Sequence, residues 1–418
     1  TNRCQIPLGG PAYSGGPSVA DYLARFLPPA NQGVRDALNG TGEGVLQHSK
    51  VSDEDNFVIK LDHNFSDSDS MFVRYTFDDA AVDRPLINFA TGFITRNQYV
   101  TVEEKHVFSP TLLNVARVGF SRSALLERDF PIGGAIPENM QLVPTNRSAL
   151  PELQSGLLGT WTPPGTGGGF SGPMGGSSVT PRIYRTNLFE YADTVNWTSG
   201  SHSVKFGANL KRVQANLISP QRTFGSFQMR DIFNFLVGSK SNGLSYITGD
   251  SNVQRGIRFW AMGFFMQDDV QISPGLTLNL GLRYEPSTGH SEVNGKLGTV
   301  KDIRTQTKSE SVDVIFKNPT GKNFAPRIGF AWDPSGNGKT AVRAGFGLFY
   351  NIQMTELDRI SATSNPPHTT IATVSSLPFP FDFEACCTAA GGAARTSLEL
   401  VDWNAPQSYR MQWNLNIQ

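Results

Sequence analysis

The chain has 418 residues, and 36 Lys and Arg balance 36 Asp and Glu, so its formal net charge is zero. This excludes the basic excess that nucleic-acid binding requires, and no nucleic-acid partner is expected. Only 17% of residues are charged, whereas 39% are hydrophobic and 28 are Phe, a composition too apolar for a disordered protein. The longest apolar run, Phe259 to Met266, is eight residues; a spanning helix needs roughly 18, so a helical membrane protein is excluded.

Residues 1–56 read as a loop region with one helix, Val19–Phe26, which Pro28 and Pro29 stop because neither can donate a backbone hydrogen bond. From residue 57 onward the dominant signal is alternation with period two, the mark of strands whose two faces meet different surroundings. In chain order the runs are Phe57–Phe65, Met71–Phe77, Tyr99–Phe108, Leu112–Phe120, Arg185–Trp197, Val204–Leu210, Phe259–Gln271, Leu276–Tyr284, Phe324–Trp332, Val342–Tyr350 and Met411–Ile417. In the clearest of them, Leu276, Leu278, Leu280, Leu282 and Tyr284 point one way, while Thr277, Asn279, Gly281 and Arg283 point the other. The same division sets Phe206 against Lys205, Phe346 and Leu348 against Arg343, and Trp413 against Gln412.

Strand length and connection length both point to a membrane. Many runs are nine to thirteen residues, whereas soluble strands usually have about five or six and a tilted membrane-spanning strand needs about nine to eleven. Short turns at 66–69, 109–110, 199–201, 273–275 and 333–338 are rich in Ser, Pro, Gly, Asp and Asn, the residues that supply turn geometry. They alternate with long segments at about 79–98, 123–184, 217–257, 287–322 and 351–407. Outer-membrane barrels alternate in this way, with tight turns facing the periplasm and long loops facing outside. The expected fold is all-β: an antiparallel up-and-down transmembrane β-barrel, partial, with roughly 11–13 strands over 57–418. Within the long segments, Asp231 to Gly238 reads as a short helix, Ser311 to Phe316 as a projecting strand, and 163–169 as a flexible glycine-rich stretch.

On this reading the apolar faces meet lipid, with Leu278, Leu280, Leu282, Phe206, Phe346, Leu348 and Trp413 as candidates. The opposite faces line the lumen and carry Arg117, Lys205, Arg283, Arg327 and Arg343. A basic residue on the lipid face at the midplane costs about 2–4 kcal/mol, which resists any register slip that exchanges the two sets. Aromatics near strand ends are candidates for girdles at the two water–lipid boundaries. Phe108, Trp197 and Trp332 fall beside short turns, and Tyr99, Tyr284 and Tyr350 fall at the long-loop ends. The glycines Gly281, Gly345 and Gly347 on the inward side leave room in the lumen or let the wall bend.

Motifs for chemistry are weak. Gly336-Asn337-Gly338-Lys339-Thr340 superficially matches a phosphate-binding loop, but the required first glycine falls on Asp333 and the segment joins two strands. Asp268-Asp269 and Asp53-Glu54-Asp55 are paired carboxylates without an evident partner. The six histidines lack metal-ligand spacing, and His63 sits on the apolar face near a short turn. No catalytic site, cofactor or metal is expected. Adjacent cysteines are poor partners for one another, so Cys386 and Cys387 are not expected to pair; a link from Cys4 to one of them stays open, with no pattern behind it.

The segments Phe259-Trp260-Ala261-Met262-Gly263-Phe264-Phe265-Met266-Gln267-Asp268-Asp269 and Ser273-Pro274-Gly275-Leu276-Thr277-Leu278-Asn279-Leu280-Gly281-Leu282-Arg283-Tyr284-Glu285 resemble the barrel of bacterial TonB-dependent outer-membrane receptors, in particular the Oar-like group. Phe324–Trp332, Lys339–Gly347 and Gly200–Gly207 fit the same pattern, and the resemblance covers most of 55–418. It implies a barrel of about 22 strands around a plug, importing large or scarce nutrients with energy from the inner-membrane TonB complex. It also implies a monomer in outer-membrane lipid, with the inward arginines facing plug carboxylates, an anionic substrate or only water. Three features depart from the family pattern: there is no plug, no TonB-contacting segment, and about half the strands. The chain starts at Thr1 without a signal-peptide pattern and stops inside an alternating run, so a fragment lacking the plug and the C-terminal strands is expected. A passive porin-type barrel and a soluble secreted glycan-binding β-protein remain as alternatives.

Overall fold

The computed structural model describes residues 8–11, 14–26, 31–32, 34–36, 41–42, 45, 47–85, 88–144, 147, 160–162, 179–228, 232–239, 243–351, 356–387, 395–396 and 398–418. Eleven long strands follow one another, each pairing with its sequence neighbours in one sheet. They are β1 Val51–Asn64, β2 Asp69–Pro85, β3 Phe89–Ser109, β4 Leu112–Pro131, β5 Arg182–Ser199 and β6 His202–Ile218. The series continues with β7 Gln254–Ser273, β8 Leu276–Tyr284, β9 Phe324–Trp332, β10 Val342–Tyr350 and β11 Tyr409–Ile417. A two-residue strand, Ser291–Glu292, pairs with the upper end of β7 as a twelfth member. All pairings between the long strands are antiparallel. Each run read from the alternation lies within one of these strands, apart from Phe65, which falls one residue beyond β1. No helix among the described residues is long and apolar enough to cross a membrane.

Register divides the sheet into two faces, because directly opposed residues project to the same side. One row runs Lys205–Gln267–Gly281–Arg327–Gly347–Gln412 across β6 to β11. The neighbouring row on the other side runs Leu280–Ile328–Phe346–Trp413, with Phe206–Met266–Leu282 beside it. Leu278 and Leu348 fall on this apolar face as well, opposite Phe330 and Met411. The apolar face is left open: Phe57, Ile59, Leu61, Phe264, Met266 and Ile328 are all exposed.

The strands run further than hydropathy alone suggested. Residues 79–98, expected as a loop, continue the β2–β3 hairpin and leave only 86–88 between the strands. Polar cross-strand pairs hold that extension: Arg96 pairs with Asp79, and Asn97 donates to Asp78 at 2.8 Å. The first strand likewise begins at Val51, inside the region assigned to the N-terminal loop. Tyr99 therefore lies in mid-strand, opposite Thr76 and Ser121 on the polar face, rather than at a strand end.

At the long-loop end the remaining segments fold on each other. Helix α1, Val19–Phe26, has the expected bounds, and it packs Val19, Tyr22 and Phe26 into an apolar core with Phe89, Phe227 and Phe379. A five-stranded sheet joins Arg395–Thr396, Ile371–Val374, Gly243–Ile247, Ser226–Gln228 and Thr160–Thr162. Helix α2, Ile232–Leu236, falls within the predicted 231–238 and is followed by a turn through Gly238, whose φ of 69° suits a residue without Cβ. Asp231, its expected cap, and the stretch 163–169 lie outside the described residues. Of the projecting segment Ser311 to Phe316 only Ser311 and Val312 are strand, within Glu310–Val312, which pairs with Leu297–Thr299. Helix α3 is Glu356–Ser364 and α4 is Phe383–Cys387.

The cysteine expectation fails. Cys386 and Cys387 are joined to each other although their Cα atoms are 3.8 Å apart, below the usual range of roughly 4.4–6.8 Å. The packed end of α4 holds them there, where Tyr246 Oη donates to the Cys387 carbonyl at 3.0 Å. Cys4 lies outside the described residues.

Candidate functional site

Of the five basic residues expected on one face, three converge. Lys205 and Arg327 share a register row, Arg283 occupies the next row between Phe265 and Ala325, and all three line a cleft of about 240 Å3 with Thr194 and Gln267. Glycine makes this possible. A Cβ on Gly263 would fall 2.2 Å from Arg283 Nη2, so the bare backbone of β7 is what lets the guanidinium lie across it. Arg283 Nε donates to Glu285 Oε1 at 2.7 Å, and the Arg327 guanidinium sits 4.7 Å from the Phe349 ring centroid. Among the described residues no carboxylate pairs with Lys205 or Arg327, so the cleft is net positive. A second cleft of about 370 Å3 continues it across β8 to β11, where Asn279, Gln412 and Asn414 add amides beside Gly281, Gly329 and Gly345. Cations, amide groups and exposed backbone together suit an anionic or hydroxyl-rich occupant.

The other two bases stand apart. Arg117 donates through Nε to Glu103 at 2.8 Å, which neutralises it, and Arg343 reaches Gln418 Oε1 at 3.4 Å beside the short-turn end. Of the girdle candidates, Trp197, Trp332, Tyr284 and Tyr350 lie on the apolar face, whereas Tyr99 does not. Trp197 and Trp332 sit next to short turns, opposite Leu112 and Leu276. Tyr284 stacks on Phe324 at 4.6 Å, and Tyr350 meets Tyr409 at 6.0 Å, at the long-loop end.

Loops cover the upper part of the polar face. There Val213, Ile257, Phe259 and Ala261 are buried under Leu297, Val312, Ile315 and Phe316. His290 lies between the Phe259 and Phe316 rings, with centroids at 4.1 and 5.2 Å, and burial pushes its pKa down to about 4. Burial pushes Glu292 upward, but the N–H groups of Lys296, Gly256 and Asn294, each at 2.8 Å, outweigh it and leave the carboxyl below its ordinary value. Arg255 is buried and spends its donors on Ala362 O, Asn252 O, Gln254 O and Thr369 Oγ1. These polar groups hold the loops in place rather than offer themselves to a ligand. Sequence reasoning missed this cover, although β7 carried a signal: Phe259 to Met262 is apolar on both sides, as in a strand buried on both faces.

One group of the described residues has metal-ligand geometry. Asp69, Glu104 and His106 bring their ligand atoms within 4.8 Å of one another on the apolar face near the short turns. His106 is already bonded to Asp69 through Nδ1, so these two groups satisfy each other at the boundary without an ion.

A family model described as "outer membrane beta barrel domain" matches residues 10–418. Among solved structures, the outer membrane transporter YddB from Escherichia coli is 12% identical over 80% of this chain and 38% of its own, with a TM-score of 0.44. The copper transporter OprC is 9% identical over 77% and 42%, with a TM-score of 0.43. The alcaligin outer membrane receptor FauA from Bordetella pertussis is 9% identical over 77% and 39%, at 0.40. The chain thus spans about two fifths of the length of these proteins. No curated protein matches the sequence.

Proposed function

Because the chain belongs to the outer membrane β-barrel domain family, and so forms part of a barrel wall in the bacterial outer membrane, we propose that it is the wall of an energy-coupled importer of large or scarce nutrients. The apolar face meets the hydrocarbon, since a continuous stripe of exposed Leu, Ile, Phe and Trp has no layer of the described residues against it and is costly in water. The basic face lines the lumen, where Lys205, Arg283 and Arg327 meet plug carboxylates or an anionic solute. Further strands complete the cylinder, because unpaired backbone groups at a sheet edge each cost several kcal/mol in lipid.

The observation that carries the import reading is the folded cover at the long-loop end. Leu297, Ile315 and Phe316 close down on Phe259 and Ile257 of the wall, and in this reading they narrow the mouth until something moves. A TonB-type complex supplies the work in this reading, through a plug carried by the same protein. A non-enzymatic role fits, as the buried charged groups of the cover, Arg255 and Glu292, are engaged in holding loops.

The test uses cells expressing the intact protein, with radiolabelled nutrients of several classes (iron chelates, oligosaccharides, peptides and cobalamin). Uptake of one of them that stops with a protonophore, or with loss of the inner-membrane energising complex, supports the proposal. Uptake indifferent to both, together with swelling of protein-loaded vesicles in small sugars, would make the barrel a passive pore.

A further inference from the structure

The apolar face changes character towards its long-loop end. Across β4, β5, β6 and β7, three successive register rows on that face read Phe120–Phe189–Arg212–Trp260, then Arg122–Asn187–Gln214–Arg258, then Ala124–Arg185–Asn216–Gly256. These rows hold four arginines and three amides but no carboxylate. With about 4.8 Å between strands and about 3.4 Å per residue, the patch measures roughly 14 Å in each direction.

Among the described residues none of its arginines is in a salt bridge, and Glu292, which acts on Arg258 from beside Gly256, is held by three backbone N–H groups. Arg258 Nη2 donates to Asn216 Oδ1 at 2.8 Å and Nη1 to the Ile257 carbonyl at 2.9 Å, while Arg212 lies 5.5 Å from the Trp260 ring centroid. Arg122 and Arg185 are exposed, and among the described residues neither has a carboxylate partner. One strand further along the same face, Arg96 has Asp79, so its charge is compensated. A cleft of about 260 Å3 borders the patch, where Arg185, Asn216 and Gln254 meet Asn294 and Lys296 of a loop. At the opposite end of the face the acidic groups are Asp69, Glu104, Asp193 and Asp268, with His106 on Asp69 and His202 on Asp268. The face is therefore cationic at its long-loop end alone.

Guanidinium groups at this spacing repel one another and bind planar or tetrahedral oxyanions in pairs. Immediately below them lies the apolar belt of Phe120, Phe189 and Trp260, and then Val118, Tyr191 and Met262. A ligand that satisfies both parts carries phosphates on a polar head and acyl chains beneath it, and the amides fit a head that also has sugar hydroxyls. We propose that this patch is a binding site for the headgroup of a phosphorylated glycolipid in the outer leaflet, with Arg122, Arg185 and Arg258 on its phosphates. The proposal rests on the reading that the apolar face meets lipid. Continuity with that belt favours a lipid over free phosphate, and position at the long-loop end favours the outer leaflet.

The test compares the intact protein with an Arg122→Gln, Arg185→Gln, Arg258→Gln variant in detergent, using bisphosphorylated lipid A, its monophosphorylated form, phosphatidylglycerol and inorganic phosphate as probes. At about 1 kcal/mol per arginine near a membrane surface, each loss weakens binding about five-fold, so the triple variant should bind bisphosphorylated lipid A about a hundred-fold less tightly. The monophosphorylated form should bind the wild type less well, and the other two probes weakly. Equal affinity of wild type and variant for lipid A, or phosphatidylglycerol or inorganic phosphate binding the wild type as tightly as lipid A, overturns the proposal. Quenching of Trp197, Trp332 and Trp413 by brominated acyl chains reads insertion separately. Normal quenching without lipid A binding sinks the glycolipid site alone, whereas absent quenching sinks the lipid-facing reading beneath it.

Discussion

Replacing Ile328 with arginine separates lipid from water at the apolar face. Ile328 is the central residue of β9, four positions from Phe324 and four from Trp332, and its cross-strand neighbours are Leu280 and Phe346. At about 3.4 Å per residue and a tilt near 45°, it lies roughly 10 Å in depth from each aromatic boundary, close to the middle of an apolar band about 25 Å tall. Its side chain is 56% exposed to whatever surrounds the sheet. If water surrounds it, Ile328→Arg changes stability by no more than about 0.5 kcal/mol, as at other open surface sites. If hydrocarbon does, the cost is about 2–4 kcal/mol, a fall of roughly 30- to 700-fold in the folded-to-unfolded ratio. The assay is equilibrium unfolding in guanidinium of protein folded into phosphatidylcholine vesicles, followed by tryptophan fluorescence. Gln412→Arg, on the opposite face beside Gly347, is the control and should stay within about 0.5 kcal/mol of wild type. A result for Ile328→Arg as small as the control refutes the assignment of the apolar face to lipid.

Phe379 is buried at the centre of the loop core, in contact with Tyr22, Phe227, Phe235 and Phe381; Phe379→Ala should cost that core about 3–5 kcal/mol. Limited proteolysis should then cut the loops much faster while the far-ultraviolet circular dichroism of the sheet is unchanged. His290 is held near pKa 4 by burial against an unfolded value near 6.5, so the unfolded form takes the proton first. The stability it confers is complete above pH 6.5 and is lost as pH falls towards 4, by about 3 kcal/mol at most. Denaturation midpoints measured between pH 7 and pH 4 should fall in wild type and stay flatter in His290→Phe. Asp333 accepts the N–H groups of Gly338, Gly336 and Ser335, which hold its carboxyl below the ordinary value. Its advantage over Asp333→Asn should be full above about pH 4 and fade as pH falls through the lowered value, again visible in unfolding midpoints.

The wall was legible in the sequence because each of its strands meets two different media, and the alternation of Leu278, Leu280 and Leu282 with Asn279, Gly281 and Arg283 records both. Strand ends were less legible. Beyond Asp79 the β2–β3 hairpin is held by the Arg96–Asp79 pair and by Asn97 on Asp78, and polar residues that pair across strands look like loop residues when read singly. Helix α1 could be placed because its apolar positions Val19, Tyr22 and Phe26 repeat on one side and two prolines end it. The loop core was not readable. Phe89, Phe227, Phe235 and Phe379 come from four separate segments, and no local period ties them together. For the same reason the convergence of Lys205, Arg283 and Arg327 needed the register of four strands, and the space for Arg283 depends on a glycine in the adjacent strand.

The loop core also constrains how such a protein can vary. Its packing joins Tyr22, near the start of the chain, to Leu142, Tyr246 and Phe383, contributed by regions hundreds of residues apart. A change of shape in any one of these loops must be matched in the others, so they diversify as a set. Grafting a single loop from a homologue should fail where exchanging the whole group succeeds, and new ligand preferences would then arise in coordinated jumps rather than by gradual drift of one segment.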